Sequence, residues 1–372
     1  MKKRILPKLD AYLLWIVLIL LVTGLLILSS ASTVLSYQRF GNNYYYFLRQ
    51  LLFGAIPGLI LMYFFSRIDY HFWQKMAPLF ILVGIGGLVA VLIPGIGFKV
   101  GNARRWIDLG LFLFQPAEFV KPAVIVYLAS WYDKRQHHAH DLYYGFLPSL
   151  GIVGLVAGLI ILEPDIGTML VLAAIAAVMF FIGGVRMRYI YTTAASALLV
   201  LWLLIKAAPY RAQRFLAFLN PSVDTKGISY QINQALLAIG SGGVWGVGFG
   251  QSRQKYSYLP EPIGDSIFAI MSEELGFIRI AIILFLFLLL AYRGFKIART
   301  APDTFGKLTA GGITAWLTIQ ALINISGITG LTPLTGIPLT FVSYGSTAMA
   351  VSLAGIGILL NISRFSAVHS DN

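Results

Sequence analysis

The chain has 372 residues, of which 58% are hydrophobic and only 12% are charged, and its mean hydropathy is +0.78. Soluble globular domains carry about 25% charged residues, so this composition indicates a chain embedded in lipid. Cysteine is absent, which excludes disulfide frameworks, thiol nucleophiles and cysteine-ligated metals. A soluble enzyme, a DNA-binding protein and a secreted disulfide scaffold are therefore excluded. The net charge of +13 must reflect membrane topology or an anionic ligand.

Ten runs of about 20 apolar residues, the length needed to cross a bilayer, predict an all-α integral membrane protein with about ten transmembrane helices. The runs cover residues 12–34, 47–65, 76–94, 113–131, 146–162, 166–183, 189–207, 266–292, 308–327 and 341–362. The first run exceeds the roughly 7 to 15 residues of a signal-peptide core, so we expect a retained anchor. We predict a single polytopic membrane domain over residues 1–372, with one large loop at residues 208–265.

The positions of lysine and arginine predict the orientation, because cytoplasmic loops are enriched in both residues. With the N-terminus in the cytoplasm, basic clusters such as Lys2 to Arg4, Lys134-Arg135 and Arg186 to Arg188 all lie inside. Ten crossings then return the C-terminus to the cytoplasm and place the large loop, between helices 7 and 8, outside. Residues 95–112 and 208–265 are basic although they lie outside, so we expect their cations to bind an anionic ligand.

These outer cations have two possible roles. The short outer segment contains Lys99, Arg104 and Arg105, and the large loop contains Arg211, Arg214, Lys226, Arg253 and Lys255. Arg104 and Arg105, followed by Trp106, are consistent with an interfacial belt that contacts lipid headgroups. The alternative is a guanidinium clamp for a diphosphate, because the planar fork of arginine matches phosphate oxygens.

Two further groups of charged residues lie in or beside the apolar runs. Glu118 and Lys121 are three residues apart and share one helix face. They form either an internal ion pair or a binding site in which Lys121 faces a polar cavity. In the outer turn Glu163-Pro164-Asp165, the last residue either caps the following helix or binds substrate.

Asp265 follows Gly264 immediately before the eighth run and is the most informative carboxylate of the chain. One interpretation is that Asp265 is the N-cap of the following helix. The other is that it acts as a base at the outer membrane surface, near Glu261 and the cations Arg253 and Lys255. The sequence alone leaves both interpretations open.

Two other polar clusters have structural interpretations. Glu273 and Glu274 follow about two helical turns after the large loop, and we expect them to form structural hydrogen bonds. His137, His138 and His140 lie in a cytoplasmic loop. We interpret these histidines as a solvated, weakly basic surface rather than as a metal site.

The charged residues lie within motifs that resemble the SEDS family, the shape, elongation, division and sporulation proteins that include FtsW, RodA and SpoVE. The motifs are Ala103-Arg-Arg-Trp-Ile-Asp-Leu-Gly110, Gln115-Pro-Ala-Glu-Phe-Val-Lys121, Glu163-Pro-Asp-Ile-Gly167, Tyr230-Gln-Ile-Asn-Gln-Ala235, Ile239-Gly-Ser-Gly-Gly243, Gln251-Ser-Arg-Gln-Lys-Tyr256, Leu259-Pro-Glu-Pro262, Ser272-Glu-Glu-Leu-Gly276 and Val342-Ser-Tyr-Gly345. The resemblance covers essentially the whole chain. The run from Gln251 to Pro262 is more similar to the FtsW and SpoVE branch than to RodA.

The resemblance implies a peptidoglycan glycosyltransferase that polymerises lipid II at the outer face of the bacterial cytoplasmic membrane, for cell division or cell shape. It implies an inverting reaction with Asp265 as the catalytic residue, although the family's usual Thr-Asp-Phe is replaced by Gly264-Asp265-Ser266. The implied partners are lipid II, a class B penicillin-binding protein and other divisome or elongasome membrane proteins. No nucleic acid is expected to bind.

Together, the charges and the resemblance define the candidate substrate-binding residues. These are Arg104, Arg105, Glu118, Lys121, Asp165, Arg253, Lys255 and Glu261. A divalent cation, Mg²⁺ or Mn²⁺, is a candidate cofactor with unidentified ligands, and no organic cofactor is expected. Two other functions stay open, namely a lipid II flippase and a non-catalytic scaffold that activates the penicillin-binding protein.

Overall fold

The computed structural model describes residues 9–100, 103–138, 140–207, 218, 228–256 and 258–370. Six of the lysine and arginine residues used to predict the topology lie outside the described residues. These are Lys2, Lys3, Arg4, Arg211, Arg214 and Lys226. The helices are α1 Ala11–Ala31, α2 Thr33–Phe40, α3 Tyr45–Arg67, α4 His71–Leu92, α5 Pro116–Lys134, α6 Leu142–Leu162, α7 Ile166–Ile182, α8 Met187–Ala207, α9 Ile228–Ser241, α10 Ile267–Thr300, α11 Thr304–Ile328 and α12 Ser346–Ser370. The strands are β1 Gly97–Val100, β2 Ala103–Asp108 and β3 Leu113–Phe114.

Seven of the described helices are long and apolar enough to cross a membrane. These are α1, α3, α4, α6, α10, α11 and α12. Helices α7 and α8 are apolar over shorter segments, and α5 has 19 residues but carries four charges, on Glu118, Lys121, Asp133 and Lys134. The protein is therefore a mostly helical, multi-pass membrane protein, as its composition predicts.

Several helix boundaries differ from the predicted runs, and two of the differences have a clear local cause. The fourth run begins at residue 113, whereas α5 begins at Pro116. Proline suits the first position of a helix because it lacks an N–H and its φ is fixed near the helical value. The eighth run ends at residue 292, whereas α10 continues to Thr300 through a basic segment. Lysine and arginine are good helix formers, so the helix extends beyond its apolar part.

A three-stranded antiparallel sheet, which the all-α prediction omits, packs against α4 and α5. Gly97 pairs with Ile107, and Ile107 pairs with Phe114. The strands have four, six and two residues, too few for an alternating pattern to be recognised in the sequence. Strand β2 carries Arg104 and Arg105 to the edge of the helix bundle.

Helix α11 is central in the bundle. It packs against α5, α7 and α10, and Trp316 in its middle is fully buried. In lipid, helices associate through close van der Waals contact, which small residues allow. A Cβ atom at Gly294 of α10 would stand 2.2 Å from Oγ1 of Thr314, so only glycine permits this approach of α10 to α11.

The large loop is attached to α10 at a kink. Gly276 has φ 75° and ψ 173°, a non-helical conformation that favours glycine. The glycine-rich turn after α9 fills the kink, where Phe277 N–H donates to the carbonyl of Gly243 at 2.9 Å. A Cβ atom at Gly276 would stand 2.1 Å from the nitrogen of Gly246. The loop backbone and the helix backbone are therefore in direct contact here.

The connections between helices form two groups at opposite ends of the bundle. At one end, Asp10 pairs with Arg293 at 3.0 Å, and its N–H donates to Ser363 Oγ at 3.1 Å. At this end Tyr70 also donates a hydrogen bond to the carboxylate of Asp303, the N-cap of α11. These contacts join the connections that the lysine and arginine pattern places in the cytoplasm.

Candidate active site

A cavity of about 1070 Å³ lies at the other end of the bundle. Its wall combines the segment from α2 to α3, the β-sheet, the first turns of α5 and α7, the segment before α10 and the segment before α12. Six predicted site residues line it, namely Arg105, Glu118, Asp165, Lys255, Glu261 and Asp265. Three predicted site residues do not line it, namely Arg104, Lys121 and Arg253.

The same wall has an apolar part. It contains the side chains of Leu35, Phe40, Phe98 and Phe112. Charged and apolar groups therefore share one cavity. Such a wall suits an amphiphilic ligand, because apolar surface provides contact area while a few polar groups fix the orientation.

Asp265 lies partly buried in the cavity wall, immediately before α10. It does not occupy the N-cap position of this helix, which belongs to Ser266. Its Oδ1 atom accepts hydrogen bonds from Gln231 Nε2 at 3.3 Å and from Ser266 Oγ at 3.5 Å. Asn324 Nδ2 donates to its backbone carbonyl at 2.9 Å. The turn is thus held through its backbone, and the carboxylate is placed at the cavity.

Asp165 shows the opposite arrangement, because it does cap a helix. Its Oδ1 accepts the N–H of Thr168 at 3.1 Å, and its Oδ2 accepts the Thr168 hydroxyl at 3.0 Å. Arg105 Nη1 lies 3.8 Å from the same Oδ2. The guanidinium of Arg105 also donates to the carbonyls of Glu163 and Pro164. The turn before α7 therefore fixes Arg105 at the cavity wall.

Glu163 is a fully buried carboxyl beside this wall. Neither oxygen of its side chain has a hydrogen-bond partner among the described residues. Burial raises the pKa of Glu163 to about 8, the charge of Asp165 adds to the rise, and Arg105 opposes it. Glu163 is consequently protonated and neutral at pH 7.

Glu118 and Lys121 form a buried ion pair with a distance of 2.8 Å. Each residue is 1% exposed. Lys121 Nζ also donates to Gln320 Oε1 at 2.6 Å and lies 5.3 Å from the centre of the Trp316 ring. Of the two interpretations of this pair, the structure shows the internal ion pair, with Glu118 at the cavity and Lys121 behind it.

Lys255 lies in the wall but is only 5% exposed. Its Nζ atom donates to the carbonyl of Gly250 at 2.6 Å and to Glu274 Oε1 at 3.3 Å. The neighbouring Glu273 accepts the backbone N–H of Arg253 at 3.0 Å. Both glutamates thus form structural hydrogen bonds, as predicted, and they hold the outer loop against α10.

Sequence analysis missed two arginines that line the same cavity, Arg39 of α2 and Arg49 of α3. Arg39 Nη1 donates to the hydroxyl of Tyr46 at 3.1 Å, and Arg49 Nη1 donates to that of Tyr45 at 2.9 Å. Tyr344 also lines the cavity, and burial raises its pKa to about 12, so its hydroxyl stays protonated. Both arginines lie on the predicted outer side of the membrane, where basic residues are depleted. Their unusual position is the sequence signal that could have identified them.

The described part of the chain contains no group of three or more acidic or histidine side chains that could hold a metal ion by themselves. The two oxygens of Asp165 are already bonded to Thr168. A metal ion in the cavity would therefore need oxygen atoms of a ligand in addition to a protein carboxylate.

The family model of the FtsW/RodA/SpoVE cell cycle proteins matches residues 11–368. The chain belongs to the FtsW/RodA/SpoVE family. Stage V sporulation protein E of Bacillus subtilis is 43% identical over 357 residues, which cover 96% of this chain and 97% of the relative. A probable peptidoglycan glycosyltransferase FtsW of Trichlorobacter lovleyi is 41% identical over 361 residues, which cover 96% and 94%.

Solved structures of the family share this fold. A chain of a peptidoglycan synthase complex superimposes with a TM-score of 0.80 at 25% identity, covering 96% of this chain and 98% of that chain. RodA of Thermus thermophilus gives a TM-score of 0.70 at 25% identity, with coverages of 96% and 97%. The higher identity to SpoVE and FtsW relatives fits the predicted FtsW and SpoVE branch.

Proposed function

We propose that this FtsW/RodA/SpoVE family member is a peptidoglycan glycosyltransferase that polymerises lipid II into glycan strands at the outer face of the bacterial cytoplasmic membrane. The observation that carries the proposal is the cavity, in which Asp265, a carboxylate outside the N-cap position, shares one wall with Arg105 and Lys255. A carboxylate, cations and apolar side chains suit a lipid-linked diphosphate sugar. The names of relatives at about 40% identity support this activity.

We infer ten membrane crossings, with both termini in the cytoplasm and residues 208–265 outside, within a single membrane domain. The seven long apolar helices are completed by α5, α7 and α8. Helix α5 crosses despite its charges because Glu118 and Lys121 neutralise each other. All the cavity-lining residues come from the predicted outer side. Connections predicted inside meet at the opposite end, as at Tyr70 and Asp303.

The proposed reaction joins two lipid II molecules, one as donor and one as acceptor. The 4-hydroxyl oxygen of the acceptor's GlcNAc attacks the anomeric carbon of the donor, and the bond from that carbon to undecaprenyl diphosphate breaks with inversion. The Asp265 carboxylate accepts the hydroxyl proton, a role that contributes on the order of 10² to 10⁴ in rate. A direct displacement forms no covalent glycosyl-enzyme, so one carboxylate suffices.

The departing diphosphate requires nearby positive charge. Arg105 and Lys255 are the predicted cations that line the cavity, and Arg39 and Arg49 add two more. We propose that these four cations bind the diphosphate. The undecaprenyl tails would follow the apolar part of the wall into the lipid, which explains why the polymerase consists of membrane helices.

The predicted residues that lie away from the wall act through others in this proposal. Lys121 holds Glu118 at the wall through their ion pair. Arg253 anchors the outer loop through its backbone hydrogen bond to Glu273. Arg104 stays a predicted contact for lipid headgroups or diphosphate.

A divalent cation, Mg²⁺ or Mn²⁺, is also part of the proposal. Magnesium is commonly held by one or two carboxylates together with substrate phosphate oxygens. Asp265 and Glu261 are the wall carboxylates that would supply the protein ligands, and the cation would neutralise charge on the diphosphate. Glu118 would accept hydrogen bonds from the sugar and peptide parts of lipid II, and Asp165 would act on the substrate through Arg105, whose Nη1 lies 3.8 Å from its Oδ2.

A class B penicillin-binding protein is the proposed partner. A chain of a peptidoglycan synthase complex shares the fold of this protein with a TM-score of 0.80, which supports assembly with a crosslinking enzyme. Other divisome or elongasome membrane proteins are further proposed partners. The similarity to SpoVE and FtsW favours a role in division or sporulation.

A flippase would need polar groups along a path across the bilayer. Its candidates include Glu118 and Lys121, which pair with each other, and Glu274, which pairs with the buried Lys255. Arg279 donates to backbone carbonyls. Because these groups are bonded within the protein, the structure favours the polymerase over the flippase.

The deciding experiment uses the purified chain in complex with a class B penicillin-binding protein whose crosslinking activity is blocked by a β-lactam. Lipid II is supplied with and without Mg²⁺ or Mn²⁺, and glycan strands are separated by length. We expect strands from the complex and none from the penicillin-binding protein alone. A folded complex that makes no strands with either cation would contradict the proposal.

A second arm separates the polymerase from the flippase. Fluorescent lipid II is placed in liposomes that contain the wild-type chain or Lys121→Ala. Translocation that the wild type catalyses and Lys121→Ala abolishes would establish a flippase path. We expect no translocation above that of empty liposomes.

A further inference from the structure

A second pocket, of about 500 Å³, lies between two turns at the end of the bundle opposite to the cavity. The turn between α5 and α6 packs against the turn between α7 and α8. At their contact, a Cβ atom at Gly184 would stand 3.7 Å from Cε1 of His140. Helix α5 gives the separation from the cavity, because its 19 residues, Pro116–Lys134, span about 28 Å between the end at the cavity and the end near the pocket.

The pocket is strongly basic. His137, His138, His140, Arg186 and Arg188 line it. None of these five residues forms an ion pair within the described part of the chain. Five basic side chains therefore lie on one small concave surface that contains a single carboxylate.

One carboxylate, Asp141, lines the pocket, but it has a structural role. Its Oδ1 accepts the N–H of Tyr143 at 3.1 Å and so caps the first turn of α6. Arg188 is oriented by a neighbour, because its Nη2 donates to the hydroxyl of Tyr189 at 2.7 Å. No hydrogen bond of the Arg186 side chain occurs among the described residues, so its guanidinium is available to a ligand.

The pocket lies at the level of a membrane interface. Tyr143 and Tyr144 are 72% and 71% exposed beside it, and exposed tyrosines are typical of the headgroup region. Basic pockets between transmembrane helices on the cytoplasmic side bind anionic headgroups. The forked guanidinium of arginine matches the oxygens of a phosphate ester.

We propose that this pocket binds the phosphate ester of an anionic phospholipid headgroup in the leaflet opposite to the cavity. Arg186 and Arg188 hold the phosphate oxygens, and the three histidines of the same wall offer ring N–H groups as further donors. This site differs from the cavity in location and in ligand, and it does not depend on the glycosyltransferase activity. It also explains why basic residues concentrate in these two turns beyond their effect on topology.

Native mass spectrometry of the full chain tests the proposal. The protein is placed in detergent micelles that contain either phosphatidylglycerol or zwitterionic phosphatidylcholine, and the retained lipids are counted. We expect selective retention of phosphatidylglycerol. The double variant Arg186→Gln, Arg188→Gln should weaken retention by about 25-fold, because each basic side chain near an anionic surface contributes about fivefold.

The matched control is Lys296→Gln, Arg299→Gln, which removes two exposed charges from the C-terminal end of α10, on the same membrane side. It should retain phosphatidylglycerol like the wild type. Equal loss in both double variants would overturn the proposal, because retention would then follow total charge. Equal retention of both lipids by the wild type would overturn it as well, and this outcome requires no variant.

A further arm distinguishes the source of the phosphate. Inorganic phosphate is titrated against the wild type without added phospholipid, and its binding is measured by calorimetry. Phosphate binding that needs Arg186 and Arg188, without retention of phosphatidylglycerol, would assign the pocket to a soluble phosphate compound and overturn the lipid assignment. In this titration we expect the wild type to bind inorganic phosphate only weakly.

Discussion

Two turns at the outer cavity each place an aspartate before a long helix, and they use it differently. In the first turn, Glu163 to Thr168, Asp165 bonds the backbone and the hydroxyl of Thr168 with its two carboxylate oxygens. In the second turn, Glu261 to Ile267, the N-cap position belongs to Ser266. The Asp265 carboxylate instead lies at the cavity.

The difference shows how a helix start can serve either stability or chemistry. A cap consumes the acceptor capacity of a carboxylate, because its oxygens satisfy the first N–H groups of the helix. At the second turn, Asn324 donates to the backbone carbonyl of Asp265 at 2.9 Å, so α11 holds the backbone of the turn, and the carboxylate accepts from Gln231 and Ser266 instead of capping the helix. We expect the first turn to dominate stability and the second to dominate activity.

The largest stability effect should come from the buried carboxyl of the first turn. The pKa of Glu163 rises from 4.5 to about 8 on folding. Because the folded state binds the proton more tightly, its stabilising contribution is complete below pH 4.5 and decreases until the pH exceeds about 8. Each unit of pKa difference corresponds to about 1.4 kcal/mol, so the loss should amount to several kcal/mol.

Thermal unfolding in detergent between pH 5 and pH 8.5 measures this effect. Wild type should lose stability over the range, whereas Glu163→Gln, which is neutral throughout, should lose much less. Glu261→Gln replaces an exposed carboxyl of the second turn and is the matched control. If the stabilities of the wild type and of Glu163→Gln changed in parallel with pH, the explanation based on the buried Glu163 carboxyl would be wrong.

A smaller effect is expected from the cap of the first turn. Asp165→Ala should lower the free energy of unfolding by about 1 to 2 kcal/mol, since it removes the N-cap of α7. Asp165→Asn should be milder, because asparagine is also a good N-cap. Thermal unfolding at one pH separates the two variants. If alanine and asparagine gave the same stability, the capping role of Asp165 would be wrong.

The smallest stability effect is expected in the second turn. Asp265→Asn keeps the size of the side chain and an oxygen acceptor for Gln231, and Ser266 keeps the N-cap position. The free energy of unfolding should change by no more than an ordinary surface substitution causes, about 0.5 kcal/mol. If Asp265→Asn lowered the free energy of unfolding as much as Asp165→Ala, the two turns would not differ in their contribution to stability.

Parts of this arrangement were predictable from sequence. Hydropathy identified the helical runs, because spans in lipid must satisfy their backbone internally. The spacing of Asp165 and Thr168 is that of a local cap, whereas the N-cap interpretation of Asp265 does not hold, because Ser266 occupies that position. The lysine and arginine pattern also indicated an anionic ligand, although it did not single out Arg39.

Other features depend on contacts between distant segments and could not be predicted. Lys121 turns from the cavity toward Gln320, which is 199 residues later in the chain. The small sheet forms only because its short strands pack against α4 and α5. The burial that neutralises Glu163 results from the same tertiary packing. Sequence therefore identified the chemistry of the site better than the direction of each side chain.

The rate of glycan-strand formation by Asp265→Asn tests the central claim most directly. The variant and the wild type are compared in complex with the penicillin-binding protein, at equal lipid II and cation concentrations, after unfolding curves have shown both to be folded. We predict a loss of about 100-fold to 10,000-fold, as expected for removal of a general base. Strand formation by Asp265→Asn within a few-fold of the wild-type rate would contradict the claim that this carboxylate performs the chemistry.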